Sequence, residues 1–441
     1  MIILTFGSCS GTRSLKTQKY LVDSNEIYEN GNLLKNHPLN FIIITQTNKK
    51  IFGITLGKIL YETAHPDPEK IFEIWLQKKE KRKKRLSRLL SQKQVNAIQN
   101  YGIKFNDWLR KTGEPPASYD SIAIRNSEIK IIQYYKNLGY FNALVTHEIL
   151  HTKPQKVNLK YNIILGDKFI IDSIETKIKS LDLKDIYQEN LSEQIIKQGD
   201  PFEINSFEKE QGRLTNLFRN SGIYNFQQNS IKFKAAIDST GKDSKIPIII
   251  EIDNLQQRIN NTLENTPYTV HRIKKIDVFI ENHKTENTIT KYSDSISYED
   301  LTIFSEGKLK YRPKAIASGI SIKKNAAYSD DERNLTYRYF TNLKNFKYPS
   351  INFDTISNKK NSLKASILLT PKERFSLGFD LDFSHSNIQD FGIGLGGGLG
   401  IRNVFRGTEL LELNVKNTLG ASRDIAQSDD RFFNLFELGA D

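Results

Sequence analysis

Four short patterns in this chain carry residue types capable of chemistry. His147-Glu-Ile-Leu-His151 spells His-Glu-x-x-His, which on a helix places two imidazoles on one face for zinc while the glutamate activates water. Gly7-Ser-Cys9-Ser-Gly11 has the outline of a nucleophile elbow, and Gly392-Ile-Gly-Leu-Gly-Gly397 fits the glycine pattern of a dinucleotide site. Lys78-Lys-Glu-Lys-Arg-Lys-Lys-Arg85 is a cation cluster of the kind that releases counterions from phosphates.

None of the four is set among the elements its chemistry requires. The two histidines fall in an extended segment, Ala143 to Leu150, bounded by Gly139 and Pro154; residues four apart on a strand are about 13 Å apart, too far for one metal. They read as exposed strand histidines, and no metal or cofactor is expected. An elbow needs a strand before it, and eight residues precede Cys9. The Gly392–Gly397 pattern lacks its helix, and the apolar alternation runs straight through the glycines. The basic run has no aromatic platform, so a solvated helix face, anionic lipid headgroups or an acidic partner are preferred to nucleic acid.

Cys9 is the one cysteine in 441 residues, so disulfide frameworks and cysteine-rich metal sites are excluded. It follows an apolar run and small residues, Met1-Ile-Ile-Leu-Thr-Phe-Gly-Ser, the layout at which a lipoprotein peptidase leaves a lipid-bearing cysteine. The run is shorter than a complete leader, so the true start is expected upstream; an ordinary unmodified cysteine is the alternative. The net charge of +13 suits anionic lipid, nucleic acid or acidic protein alike. No apolar stretch reaches the roughly 18 residues of a membrane helix.

An internal repeat organises the chain. Tyr135-Lys-Asn-Leu-Gly139-Tyr-Phe-Asn142 and Phe218-Arg-Asn-Ser-Gly222-Ile-Tyr-Asn225 align without a gap. In each, a helical pattern gives way to alternation, and the glycine supplies the left-handed residue that stops the helix. Alternating segments follow at Val157–Ile163 and Ile246–Ile252, so strands and helices recur in units of about 80 residues.

These junctions resemble those of polypeptide-transport-associated (POTRA) domains, which are β-α-α-β-β units. Ile196-Lys-Gln-Gly-Asp-Pro-Phe202 resembles the end of such a domain's first helix. Trp108-Leu-Arg-Lys-Thr-Gly-Glu-Pro-Pro-Ala-Ser-Tyr-Asp120 and the stretch after Cys9 resemble TamL, the lipid-anchored TamA-like branch of the BamA/TamA outer-membrane assembly superfamily. The expected organisation is a leader remnant at 1–19, a first POTRA-like domain with a basic helical insertion at 20–165, a second at 166–256 and a third at 268–370. The third opens on Arg272–Phe279 and has a helix at Asp331–Asn342, but Leu343-Lys344-Asn-Phe346 stands where the junction glycine belongs.

Residues 371–441 change character. Phe375, Leu377, Phe379, Leu381 and Phe383 alternate with Ser376, Gly378, Asp380, Asp382 and Ser384. A ten-residue strand with one apolar and one polar face fits a barrel wall between lipid and water; a soluble sandwich with one buried face alternates in the same way. Ile393–Ile401 and Leu411–Val415 repeat the pattern. The expected fold is α+β: tandem POTRA modules followed by the first strands of an antiparallel transmembrane β-barrel, incomplete because three or four strands cannot close in lipid.

The resemblance implies a non-enzymatic outer-membrane assembly or translocation factor with its modules in the periplasm. Sheet edges would pair with unfolded outer-membrane clients, and strand 375–384 would form one side of a lateral seam. A TamB-like envelope-spanning protein and outer-membrane lipids would be partners; nucleic acid would not. A general BamA-type factor, a secreted zinc protease using His147 and His151, and a surface adhesin are the alternatives.

Overall fold

The structure is a computed structural model that describes residues 20–51, 53–70, 74, 92–237, 243–259, 262–281, 292–357, 359–385, 389–422 and 432–440. It divides into two compact units, one built mainly from residues up to Ser173 and the other from most of the chain beyond it. Three small mixed sheets, each with helices, precede an antiparallel meander.

In the first sheet, strand Leu21–Glu29 runs parallel to Lys156–Ile164, which is antiparallel to Leu144–Lys153. Alternation makes the central strand: Val157, Leu159, Tyr161 and Ile163 are all buried, each fully buried side chain of this size contributing about 1.5–3 kcal/mol. Helix Ser121–Asn137 covers it with Ile124, Ser127, Ile131 and Tyr135, a spacing of three and four that keeps one face inward. Asp120 starts that helix by accepting the Ile122 N–H at 2.9 Å. Trp108 lies in the preceding helix, Gln92–Thr112, and Gly113 to Asp120 form the connection.

The middle sheet has the order Ile170–Ile178, Lys245–Ile252, Ile231–Ala235. Its helices are Leu181–Glu189 and Ile204–Asn220. Ile196–Phe202 is therefore not the end of a helix: the first helix stops at Glu189, and the later segment is a loop whose Pro201 bridges to Ile170. A proline there removes the donor a helix needs.

The third sheet repeats the order with strands Arg272–Ile280, Ser362–Pro371 and Phe346–Thr355, the first two parallel and the last pair antiparallel. Helix Asp330–Asn342 packs Phe340 into its core, and Ser329 caps the helix start. Two hairpins lie outside the sequence expectation. Leu255–Ile259 pairs with Thr262–Thr266, straddling the expected end of the second module, and Asp294–Tyr298 with Leu301–Ser305 extends the third sheet beside its opening strand.

The meander comprises Phe375–Ser384, Gln389–Arg402, Leu410–Ser422 and Phe432–Ala440 in sequential antiparallel order. Among the described residues it is an open four-stranded sheet.

Candidate functional site

The repeat glycines sit at a joint. Gly139 has φ +91 and Gly222 φ +106, the left-handed region that favours glycine. Each ends a helix with the same wrapped bond: the Tyr140 N–H reaches the Tyr135 carbonyl at 2.9 Å, and the Ile223 N–H the Phe218 carbonyl at 3.1 Å. Each carbonyl then accepts from the residue just before the next sheet's opening strand. Phe169 donates to Gly139 and His271 to Gly222, both at 2.9 Å. The close approach excludes a side chain as well. A Cβ at Gly139 would lie 2.5 Å from the Phe202 carbonyl oxygen, and one at Gly222 would lie 2.7 Å from Val270 Cγ1.

The third junction is cryptic. Phe340-Thr-Asn342-Leu-Lys344 falls in register with Tyr135-Lys-Asn-Leu-Gly139, and Lys344 adopts φ +55 in place of glycine. Phe340 is as buried as Tyr135 and Phe218. Asn345, next along, accepts the Lys372 N–H at 2.8 Å, three residues before the meander begins. With no glycine to mark it, the junction is signalled in the sequence only by the aromatic-x-Asn spacing.

Side chains reinforce the middle joint. Arg219, the basic residue of the second repeat, forms a bidentate pair with Asp330 at the start of helix Asp330–Asn342, its second arm at 3.0 Å. Burial opposes the Asp330 charge, yet the Arg219 and Tyr328 hydrogen bonds outweigh it and hold the carboxyl below its ordinary value. Burial, then the bond to Asp330, pushes the Tyr328 hydroxyl up to about 12. Asn220 accepts the Asp331 N–H at 2.9 Å. Within the helix carrying Arg219, fully buried Glu210 takes Arg213 at 2.6 and 3.0 Å and the Ile195 N–H at 2.9 Å.

Each sheet ends on an edge. Leu144–Lys153 has one strand neighbour among the described residues, as does Ile231–Ala235, leaving backbone donors and acceptors for an added strand. Phe375–Ser384 likewise pairs on one side only.

The meander separates its two faces. Phe375, Leu377, Phe379, Leu381 and Phe383 are 58–81% exposed. Cross-strand register sets Leu399 and Leu413 beside Leu377, and Ile393 and Leu419 beside Phe383, on the same face. On the other face, Asp382 and Lys416 meet at 2.5 Å across the glycine-bearing second strand. A Cβ at Gly394 would come 3.2 Å from Lys416 Cε and 3.3 Å from Asp382 Cβ. Gly394 thus leaves room for the ion pair to lie over the strand, a role that needs no nucleotide, while Gly397 lies opposite Phe379 on the apolar face.

His147 and His151 both lie on strand Leu144–Lys153. His147 Nδ1 is 2.8 Å from Glu128, while the His151 ring meets Tyr20 edge-on at 5.0 Å. The imidazoles are thus drawn to different partners instead of toward one ion. Cys9 and the basic run 78–85 fall outside the described residues.

Residues 78–164 match the POTRA family model, described as surface antigen variable number repeat. No curated protein matches the chain. Solved structures with some likeness include BamA from Haemophilus ducreyi lacking POTRA domains 1–3, at 11% identity and TM-score 0.35, with 61% of this chain covered and 43% of that one. CdiB from Acinetobacter baumannii gives 12% identity and TM-score 0.27, covering 58% and 39%. POTRA domains 1–3 of Omp85 from Anabaena give 8% identity and TM-score 0.22, covering 81% and 97%. The chain thus spans less than half of the BamA and CdiB chains it resembles. The matched segment ends with the last strand of the first sheet, and the other two sheets share its order of opening, last and penultimate strand. The fold is tandem POTRA-like α+β modules followed by an antiparallel meander.

Proposed function

We propose that this chain carries the POTRA-like modules and first wall strands of an outer-membrane assembly or translocation factor of the TamL kind. Modules at 20–165, 166–256 and 268–370 lead to a barrel beginning near 371. One observation carries the reading: five large apolar side chains of Phe375–Ser384 project from one face, 58–81% exposed, while the other face holds Asp380, Asp382 and Lys416. A soluble sheet buries such a face; a wall strand gives it to lipid.

In this mechanism no bond is broken and no residue is catalytic. An extended client adds to a free sheet edge through backbone hydrogen bonds, largely regardless of its side chains. The joints at Gly139, Gly222 and Lys344 hold successive modules in register, and the free edge of Phe375–Ser384 forms one side of the seam through which the client passes. Cys9 bears the lipid anchor, the modules occupy the periplasm, and a TamB-like envelope-spanning protein is the partner. The presence of TamL-like residues at 108–120 favours that branch over a general BamA-type factor.

The test uses the full chain with Cys9→Ser and single cysteines carrying a fluorophore at positions 376 to 383, added to vesicles containing nitroxide-labelled lipid. Quenching should alternate, strong at 377, 379, 381 and 383 and weak between them. Uniform quenching, or none, would remove the wall reading.

A further inference from the structure

Between the third module and the meander lies a cleft of about 950 Å³. Its lining includes the apolar residues Ile280, Leu309, Tyr311 and Val404, and is otherwise strongly cationic. Lys308, Lys310, Lys347 and Lys372 line it, and among the described residues none of these ammonium groups has a carboxylate partner. Two arginines of the lining are bound to carbonyls instead of carboxylates. Arg402 donates to the Lys344 and Glu373 carbonyls at 3.1 and 3.0 Å, and Arg406 to the Leu309 carbonyl at 2.8 Å. They are fixed in place without being neutralised. Arg374 lies over the Phe375 ring at 5.6 Å, at the first residue of the apolar face. Two acids, Glu306 and Glu373, offset seven cations, so the lining is self-repelling and favours an anion.

We propose that this cleft binds the phosphate of an anionic lipid headgroup. The proposal rests on the wall reading, which puts Phe375 at the edge of the apolar layer and hence the cleft at headgroup depth. Apolar side chains and unpaired cations in one lining match the first acyl carbons and the phosphate of such a lipid, and the fixed arginines give two preset donors where the flexible lysines gather charge.

The test floats the full chain with phosphatidylcholine vesicles and with vesicles that also carry phosphatidylglycerol. Wild type should bind both and prefer the anionic ones. Lys308→Gln/Lys310→Gln should lose about 10- to 30-fold of that preference while still binding phosphatidylcholine, and Lys308→Arg/Lys310→Arg should keep it. Binding to both vesicles without preference overturns the proposal alone. A glutamine variant that retains the preference also overturns it, placing the lipid contact elsewhere, for example on residues 78–85. If millimolar inorganic phosphate abolishes the preference and raises the melting temperature of wild type but not of the glutamine variant, the cleft takes free phosphate and the headgroup assignment falls. Failure to bind either vesicle sinks the wall reading and the proposal together.

Discussion

Gly139 and Gly222 each combine a left-handed backbone with a contact that leaves no space for a methyl group. Replacing either by alanine imposes about 1–2 kcal/mol for the conformation, with a further loss because Phe202 or Val270 must move. Hydrogen exchange should show this as faster opening at Phe169 and His271, whose N–H groups the glycine carbonyls hold; unchanged protection in both variants would mean the joints are not coupled through these bonds. Lys344 presents the converse case. It meets the same backbone requirement with a Cβ, so Lys344→Gly should stabilise the third module, by up to about 1 kcal/mol read from its urea midpoint. The first two joints were legible in the sequence because glycine advertises its own freedom. The third was not, because a lysine at φ +55 looks like any lysine and only the spacing from Phe340 marks it.

At the scale of elements, what holds the second repeat to helix Asp330–Asn342 is a charge pair that titrates. The folded Asp330 carboxyl lies below its ordinary value of 3.8, so its contribution is fully present above that pH and is lost as the pH falls through the lower folded value. The Arg219 and Asp330 side chains are partly exposed, which limits the contribution to about 1 kcal/mol. Asp330→Asn should therefore melt below wild type at pH 7, and the gap should close as the pH falls through the lowered value of the folded carboxyl; a gap that persists in still stronger acid would assign the loss to packing. Glu210 has no such release to solvent. Truncating it to alanine strands Arg213, whose side chain is only 16% exposed, and the Ile195 N–H, at a cost of about 3–5 kcal/mol in unfolding. Strands that alternate strictly, such as 156–164 and 375–384, were legible, since period two is written in residue type. The hairpins were not. Leu255-Gln-Gln-Arg-Ile259 breaks the apolar alternation at Gln257, and its pairing is set by register with Thr262–Thr266, which no single-strand pattern encodes. Ile196–Phe202 misled for a related reason, because a helix stop and a loop after a helix use the same Gly and Pro residues.

For the molecule as a whole, the division between modules and meander turns on whether the apolar face of the last four strands meets lipid or protein, and alternation alone suits both. Lysine placed along Phe375–Ser384 separates them, because a bilayer charges by depth while a protein core charges by local packing. In lipid, Phe379→Lys at mid-strand should cost about 2–4 kcal/mol of the unfolding free energy measured in vesicles, and Phe375→Lys, near the interface, about 0–1. Asp380→Lys, on the other face, should avoid the lipid penalty despite adjoining Phe379. Shortening the acyl chains brings the interface toward mid-strand, so the cost at Phe379 should fall while that at Phe375 stays small. If Phe375→Lys proves as costly as Phe379→Lys and neither responds to acyl length, the face is packed against protein and the meander is half of a sandwich.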